Sequence, residues 1–123
     1  MIYELSQKFF FEAAHMLNRD IDADASQRIH GHTYHAQVTI SGEPDPATGM
    51  VNDLGHMRNE IAVVRDMLDH RLLNEVPDLN HATMEDLCRF IFVNLQKSLP
   101  NIVQVVIERK ASGDSCVLRK SAC

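Results

Sequence analysis

Hydrophobic and polar positions alternate along the first part of the chain, residues 1–15. One parity is mostly apolar and comprises Tyr3, Leu5, Phe9, Phe11 and Ala13. A period of two is the pattern of a strand with one face against a core. The sequence therefore predicts a long first strand, and His15, the next member of the apolar parity, stands at the end of its buried face.

A second alternating stretch follows the polar, loop-like residues 16–27. Its apolar parity comprises Tyr34, Ala36, Val38 and Ile40, and His30 and His32 precede them with the same parity. Because a strand places residues i and i+2 on one face, both histidines stand where the buried face begins. A hydrogen-bonded histidine pair at a strand end and a metal site are both open for His30 and His32 taken alone.

A third histidine favours the metal. If the two strands pair antiparallel, the end of the first lies beside the start of the second. His15, His30 and His32 are then expected to meet. Three imidazoles from two strands, with no fourth protein ligand in sight, are typical of a catalytic zinc that keeps an open coordination position.

Two amphipathic helices are predicted in the middle of the chain. The apolar positions of the first recur at three- and four-residue spacing and are Leu54, Met57, Ile61, Val64 and Leu68; it ends near Asp69 and His70. Thr83 is the expected N-cap of the second, with Glu85 and Asp86 in its first turn. Its apolar stripe consists of Leu87, Cys88, Ile91, Phe92, Leu95 and Leu99.

The remaining pattern predicts two more strands. Val103, Val105 and Ile107 alternate in a third strand, and residues 115–120 form a short fourth after a turn, whereas residues 71–80 read as a connection. The order ββααββ indicates an α+β fold in which two helices cover one face of a four-stranded antiparallel sheet, as a single domain over residues 1–123. The uncovered edges of that sheet favour an oligomeric ring or barrel.

Composition narrows the class of protein. The 123 residues are 45% hydrophobic and 24% charged, with a formal net charge of −5 and scattered basic residues. This balance argues against nucleic acid and anionic membranes as partners. Short apolar runs and the lack of a signal-peptide pattern lead us to expect a cytoplasmic protein. Cys88, Cys116 and Cys123 are expected to be reduced thiols, with Cys88 packed in a core.

Five sequence blocks occur in order at fitting distances. They are FEAAH at 11–15, HGH at 30–32, DPATGMVND at 45–53, LDH at 68–70 and TxE at 83–85. Together they resemble the 6-pyruvoyltetrahydropterin synthase and 6-carboxytetrahydropterin synthase family over nearly the whole chain. The resemblance implies a T-fold subunit in a trimeric barrel, two of which stack as a homohexamer (a dimer of trimers) with active sites at subunit seams.

The same resemblance implies a zinc-dependent lyase. Queuosine biosynthesis is one of the pathways in which lyases of this family act. The family's zinc ligands correspond to His15, His30 and His32. Its substrate is the small molecule 7,8-dihydroneopterin triphosphate, a pterin whose hydroxylated side chain is polarised by zinc so that adjacent protons can move. Triphosphate elimination or carbon–carbon cleavage follows, depending on the family member.

Further site residues follow from the resemblance. Asp69 and His70 match a proton-relay pair, and Glu108 matches the glutamate that accepts hydrogen bonds from the pterin ring. Thr83 and Glu85 resemble residues near the pterin pocket. Each has a plainer alternative: a solvated Asp–His pair at a helix end, a surface glutamate and a helix cap.

One departure from the family pattern concerns the catalytic base. Typical members carry a cysteine in the loop before His30, where this chain has Ser26 and Asp24. A serine hydroxyl is a far weaker base than a thiolate, and an engineered Cys-to-Ser change at position 26 is left open. Asp24, or Asp22, could serve instead, since some members use a glutamate and release a 6-hydroxymethyl pterin.

A third hypothesis is a non-catalytic zinc- or pterin-binding protein that has lost the base. The missing cysteine favours it. The retained Asp69 and His70 oppose it, because a protein that only binds would not need a proton relay.

Overall fold

Two long strands form the middle of the sheet. In the computed structural model, which describes residues 1–17, 24 and 27–121, β1 spans Tyr3–His15 and β2 spans His30–Gly42. They pair antiparallel along their whole length, from Tyr3 opposite Gly42 to His15 opposite His30. Both predicted strands are confirmed, and their apolar parities face the core except at Tyr3, which is 48% exposed.

Two helices cover that core face. The first, α1, spans Leu54–Leu68 and the second, α2, spans Met84–Gln96. The Thr83 side chain accepts a hydrogen bond from the backbone N–H of Asp86, which is the predicted N-cap. The buried side chains of α1 are Met57, Ile61, Val64 and Leu68. In α2 the predicted stripe is buried except for Phe92, which is half-buried, while Phe90 is buried.

The segment between the helices contains more structure than a plain connection. Arg71–Leu72 forms a short strand, β3, which pairs parallel with Ala13 and Ala14 of β1. A 3₁₀ helix follows at Leu73–Glu75. A strand of two residues is too short to leave an alternating pattern, and its pairing depends on the backbone groups along the edge of β1. No periodicity in the sequence therefore marks this strand.

The last two strands complete the sheet. Strand β4 spans Ile102–Arg109 and pairs antiparallel with β2, and β5 spans Asp114–Arg119 and pairs antiparallel with β4. The strand order is β3-β1-β2-β4-β5. The α+β class and the order of the long elements are confirmed. The four-stranded antiparallel sheet is corrected to a five-stranded mixed sheet, in which only β3 is parallel.

A bulge changes the parity at the start of β4. Thr39 lies opposite Gln104 but Ile40 lies opposite Ile102, so Val103 has no directly opposed residue. Ile102 is consequently buried and Val103 is half-buried, so the apolar alternation of β4 is buried only from Val105 onward. Beyond the bulge, β4 follows the predicted alternation up to its end at Arg109.

The helices of the described part of the chain are too short or too polar to cross a membrane.

Candidate metal centre and proton-transfer pair

Three histidine side chains converge at the paired ends of β1 and β2. The Nε2 atom of His15 is 3.0 Å from Nε2 of His30 and 3.0 Å from Nε2 of His32. The three ring planes cross at 69–85°, so the nitrogens approach a common point from different directions. The structure thus brings together the three histidines that strand parity and antiparallel pairing predicted to meet.

Backbone carbonyls fix the tautomers of two of these rings. Nδ1 of His15 lies 2.9 Å from the carbonyl oxygen of Ala82, and Nδ1 of His30 lies 2.8 Å from that of Arg28. A carbonyl only accepts, so each Nδ1 donates its hydrogen and each neutral ring keeps its lone pair on Nε2. Two lone pairs facing each other across 3.0 Å repel unless a cation or a proton lies between them. This donor set fits a zinc ion whose ligands His15 and His30 are each oriented by a hydrogen bond to a backbone carbonyl.

The Ala82 carbonyl is held in place by the start of α2. Asp86 accepts a hydrogen bond of 2.8 Å from the backbone N–H of His81, and its other carboxylate oxygen binds Arg89. Arg89 in turn donates to the carbonyl of Asp78 at 2.7 Å. The hydrogen bond to Arg89 holds the pKa of Asp86 below its usual value, although burial opposes the shift. The hydrogen bonds of Asp86 and Arg89 therefore fix the loop whose carbonyl orients His15. His15 itself is buried, with 1% of its surface exposed.

Burial and neighbouring positive groups lower the pKa of His32. Its pKa is lowered to about 4, chiefly by burial, then by His15, Arg109 and His30. The negative charge of Asp114 opposes that shift. A metal-ligating histidine must be neutral, so the ring is in the form that a metal requires at neutral pH.

The second group of interest follows α1 directly. Asp69 is the C-cap of that helix, and its Oδ2 lies 2.9 Å from Nδ1 of His70 and 3.3 Å from a guanidinium nitrogen of Arg65. Its Oδ1 accepts a hydrogen bond of 2.9 Å from the backbone N–H of Glu12. The Glu12 hydrogen bond is the largest of the causes that lower the pKa of Asp69, followed by the hydrogen bond to His70 and the charge of Arg65. The carboxylate is thus ionised and oriented toward His70.

His70 itself is held by its backbone. Its φ of 58° is unusual for a residue other than glycine, and its N–H donates to the carbonyl of Glu12 at 2.6 Å. The side chain is 76% exposed. His70 and His32 contribute to the lining of one cleft of about 550 Å³, together with Gly31 and Thr33. The pair is therefore open to a ligand or to another protein surface.

Glu108 lies on the other side of the sheet from the histidine triad. It stands opposite His35 in the pairing of β2 and β4, and Ile107 next to it is fully buried in the core. Because side chains alternate between the faces of a strand, Glu108 points away from the core face that carries the triad. Within one chain the structure does not bring the two together.

Thr83 and Glu85 have ordinary places in α2. Thr83 caps the helix, and Glu85 is exposed in its first turn. Thr83 follows Ala82 directly, so the cap also helps to place the carbonyl that binds His15.

Of the three residues considered as the catalytic base, the structure describes one. Asp24 is exposed, whereas Ser26 and Asp22 lie outside the described residues. Cys88 is fully buried, and burial is the main reason that its pKa is raised to about 12. Its thiol lies near the carbonyls of Val105 and Cys116, at 3.8 and 3.7 Å. Cys88 is therefore a packed core thiol, as predicted; Cys123 lies outside the described residues.

Several residues that shape the site escaped the sequence analysis. The carbonyls of Arg28 and Ala82 act through the backbone, so no side-chain pattern could reveal them. Arg65 sits one helical turn before Asp69, a spacing of four residues that could have been noticed. Arg109 shares the buried parity of Val105 and Ile107, and an arginine in such a set is a signal in its own right.

The fold and the site define an α+β protein with three histidines at a strand end that could hold a metal ion. The family model described as "6-pyruvoyl tetrahydropterin synthase" matches residues 4–120. The human 6-pyruvoyl tetrahydrobiopterin synthase is 33% identical over 111 residues, which cover 79% of this chain and 77% of that protein. The 6-carboxy-5,6,7,8-tetrahydropterin synthase of Bacillus subtilis is 30% identical over 129 aligned positions, covering 95% and 85%.

Solved structures agree with the sequence relatives. The structure of the Caenorhabditis elegans 6-pyruvoyl tetrahydropterin synthase superimposes with a TM-score of 0.83 at 27% identity, covering 98% of this chain and 97% of that one. The chain belongs to the 6-pyruvoyl tetrahydropterin synthase family and has its T-fold.

Proposed function

We propose that this protein is a zinc-dependent lyase that acts on the side chain of 7,8-dihydroneopterin triphosphate or a closely related pterin. The observation that carries the proposal is the convergence of three Nε2 atoms from His15, His30 and His32. The described residues add no fourth ligand to this group. The names of the human and bacterial relatives support the pterin as substrate.

The three imidazoles leave room for a substrate atom in a tetrahedral arrangement. Zinc bound there would supply a Lewis acid that makes protons beside the side-chain hydroxyl groups more acidic. The role of the protein is to hold the three Nε2 atoms in place before the metal arrives. The carbonyls of Ala82 and Arg28 do this for His15 and His30.

His70 is the proposed proton carrier. Its Nδ1 is engaged by Asp69, so its Nε2 is the nitrogen that can take a proton from the substrate or return one. Asp69 is itself held by Glu12 and Arg65. The Nδ1 edge of the imidazole is therefore oriented by the protein, while the side chain as a whole remains exposed to solvent.

Glu108 is the proposed anchor of the pterin ring, and its position has a consequence for assembly. A glutamate on one face of the sheet and a metal on the other cannot hold the same small ligand within one chain. We therefore propose that the complete pocket forms at subunit seams of a homohexamer, built as a dimer of trimers. The exposed side chain of His70 supports this arrangement, because it is available to a neighbouring subunit.

The base that starts the reaction is the open part of the mechanism, and it separates two products. Cys88 cannot supply a thiolate near neutral pH, because its pKa is about 12. Asp24 is exposed in the segment that joins His15 to His30, which favours a carboxylate base and a 6-hydroxymethyl product as a second candidate function. Asp24→Asn should then abolish turnover while Ser26→Ala has little effect; the opposite result would assign the role to Ser26.

Product analysis tests the proposal. Zinc-loaded protein is incubated with 7,8-dihydroneopterin triphosphate and the pterins are identified by mass spectrometry. A 6-pyruvoyl or 6-carboxy product supports the family's usual chemistry, and a 6-hydroxymethyl product supports the cleavage route. Unchanged substrate, with one zinc per chain measured in the same sample, would contradict the lyase and leave a zinc- or pterin-binding protein.

A further inference from the structure

An arginine lies at the same end of the sheet as the histidine triad. Arg109 is the last residue of β4, and Val105 and Ile107, which share its parity, are fully buried against the core. The pairing of β2 and β4 reaches His35 and Glu108, so the next residues along, Tyr34 and Arg109, are neighbours. The positive charge of Arg109 acts on the Tyr34 hydroxyl and lowers its pKa, against the larger effect of burial, which raises it. Arg109 thus faces the side of the sheet that carries His32.

The Nη2 atom of the Arg109 guanidinium has a hydrogen-bond acceptor, whereas its Nε atom has none among the described residues. Its Nη2 donates to Oδ2 of Asp114 at 2.8 Å, and Ser112 donates to the same oxygen at 2.9 Å. The Nε atom is buried and has no hydrogen-bond partner within the part of the chain that the structure describes. An unpartnered buried donor on a charged group is costly. Its retention points to a partner that comes from outside these residues.

The charges around the triad favour an anion as that partner. Histidines bind a metal as neutral imidazoles, so a divalent ion held by the three of them would keep its full charge. Arg109 adds a positive charge close enough to act on His32, and Asp114 supplies one negative charge. The sum is strongly positive. An anionic oxygen beside the metal centre would balance it and would give the Arg109 Nε–H an acceptor.

We propose that Arg109 binds a phosphate oxygen of the substrate beside the metal centre, with Asp114 holding the guanidinium in orientation. The identity of the substrate rests on the function proposed above, but the phosphate-binding step can be measured without turnover. Arginine suits this role because its planar group can donate from Nε to the ligand while Nη2 stays with Asp114.

The test uses zinc-loaded protein and inorganic phosphate as the probe. Phosphate is titrated and followed by phosphorus NMR, with the zinc content measured before and after. The parent should bind phosphate saturably, and Arg109→Gln should weaken binding about tenfold or more, the size expected for one charge-assisted hydrogen bond. Arg119→Gln is the matched control, because it removes the same charge from β5, where Arg119 donates to Gln104 at 2.8 Å. That variant should bind like the parent.

A second measurement needs no folded Arg109→Gln protein. In nitrogen-labelled parent, the Arg109 Nε–H resonance should shift when phosphate is added. Phosphate binding that is equal in Arg109→Gln and the parent, an unmoved Nε–H resonance, or no phosphate binding by the parent would each overturn the proposal.

The two proposals fail in different ways. Arg109-dependent phosphate binding in a protein that leaves 7,8-dihydroneopterin triphosphate unchanged would contradict the proposed reaction and keep the phosphate site. Turnover with a KM for that substrate that is unchanged in Arg109→Gln would keep the reaction and contradict the phosphate site. A KM raised about tenfold, with a much smaller change in kcat, is the result expected if both hold.

Discussion

The histidine triad and the Asp69–His70 pair are held by the fold in different ways. His15 is 1% exposed and is the last residue of β1, which pairs with β2 along its whole length. Its Nδ1 donates to the carbonyl of Ala82, in the loop that Asp86 and Arg89 hold in place. His70 is 76% exposed and follows a helix end with a φ of 58°. Among the described residues, its backbone N–H bonds to Glu12 and its side chain bonds to Asp69. The triad joins a buried His15 to the half-buried His30 and His32 at the end of the core face, whereas the pair lies at the sheet edge.

The difference suggests two separable roles. Metal ligands must be fixed before the ion binds, because coordination distances tolerate little variation. A proton carrier needs orientation but also access to the substrate and to water. Substitutions in the triad should therefore change metal binding, and substitutions in the pair should change turnover without changing metal content.

The largest effect is expected for His15→Ala. Removing this ligand should lower the bound zinc from one per chain to a small fraction. The affinity should weaken by more than roughly 100-fold, beyond the usual loss when a group that only orients a ligand is removed. Metal analysis after dialysis measures it. His35→Ala is the control, since His35 lies opposite Phe10 and Glu108 on the other face of the sheet. Equal zinc contents in His15→Ala and His35→Ala would show that His15 is not a metal ligand, and would contradict the separate roles of the triad and the pair.

His70→Ala should come next. Losing a general acid or base typically costs about 10²–10⁴ in rate, so turnover of 7,8-dihydroneopterin triphosphate should fall by that factor while the zinc content is unchanged. His56→Ala serves for comparison, because His56 is an exposed histidine of α1 that lies 3.4 Å from the Ser98 carbonyl. Full activity of the His70 variant would remove the proton carrier from the mechanism.

A smaller effect is expected for Asp69→Asn. The amide oxygen can still accept from the Glu12 N–H, but the charge beside His70 is lost. We expect kcat to fall by less than the roughly 10²–10⁴ expected for removing the proton carrier itself. Asp66→Asn is matched, since Asp66 also lies near Arg65, at 3.8 Å, and is exposed. A similar decrease in both variants would indicate a general charge effect and contradict a specific role of Asp69.

The smallest effect is on stability and concerns the loop that orients His15. Asp86→Asn should lower the free energy of unfolding by about 1–3 kcal/mol at neutral pH, as for other hydrogen bonds to charged groups. Glu85→Gln, an exposed acid in the same helical turn, should change it little. Denaturant titration measures both.

The pH dependence of the same pair gives a sign that can be checked. The pKa of Asp86 is lowered in the folded protein, so its stabilisation is present above the ordinary pKa of 3.8 and is lost as the pH falls through the lowered value. The gap between parent and Asp86→Asn should therefore shrink in acid. A gap that is constant with pH would mean that the carboxylate charge is not what stabilises the loop.

The sequence predicted the parts of this protein that rest on long patterns. Two strands of thirteen residues and two amphipathic helices repeat their signal often enough to be read, and the triad followed because its histidines continue two such patterns. Strand β3 has two residues and the bulge at Val103 is a single insertion, so neither leaves a period. Tertiary backbone contacts decide both.

The candidate site was predictable to a similar degree. The histidine positions came from parity, whereas the roles of Asp69, His70 and Glu108 came only from the family resemblance. What positions these groups was hidden, because carbonyls and a left-handed backbone at His70 have no side-chain signature. Arg109 differs from these groups, because an arginine that continues the apolar parity of Val105 and Ile107 is a signal that the sequence does contain.

X-ray absorption at the zinc edge of the loaded protein tests the central claim most directly. The three-histidine assignment predicts three imidazole nitrogens and one oxygen at about 2.0–2.1 Å, with no sulfur ligand. His15→Ala should then lose one imidazole or the metal altogether. A zinc shell that contains sulfur, or one that is the same in His15→Ala as in the parent, would place the metal elsewhere and contradict the assignment.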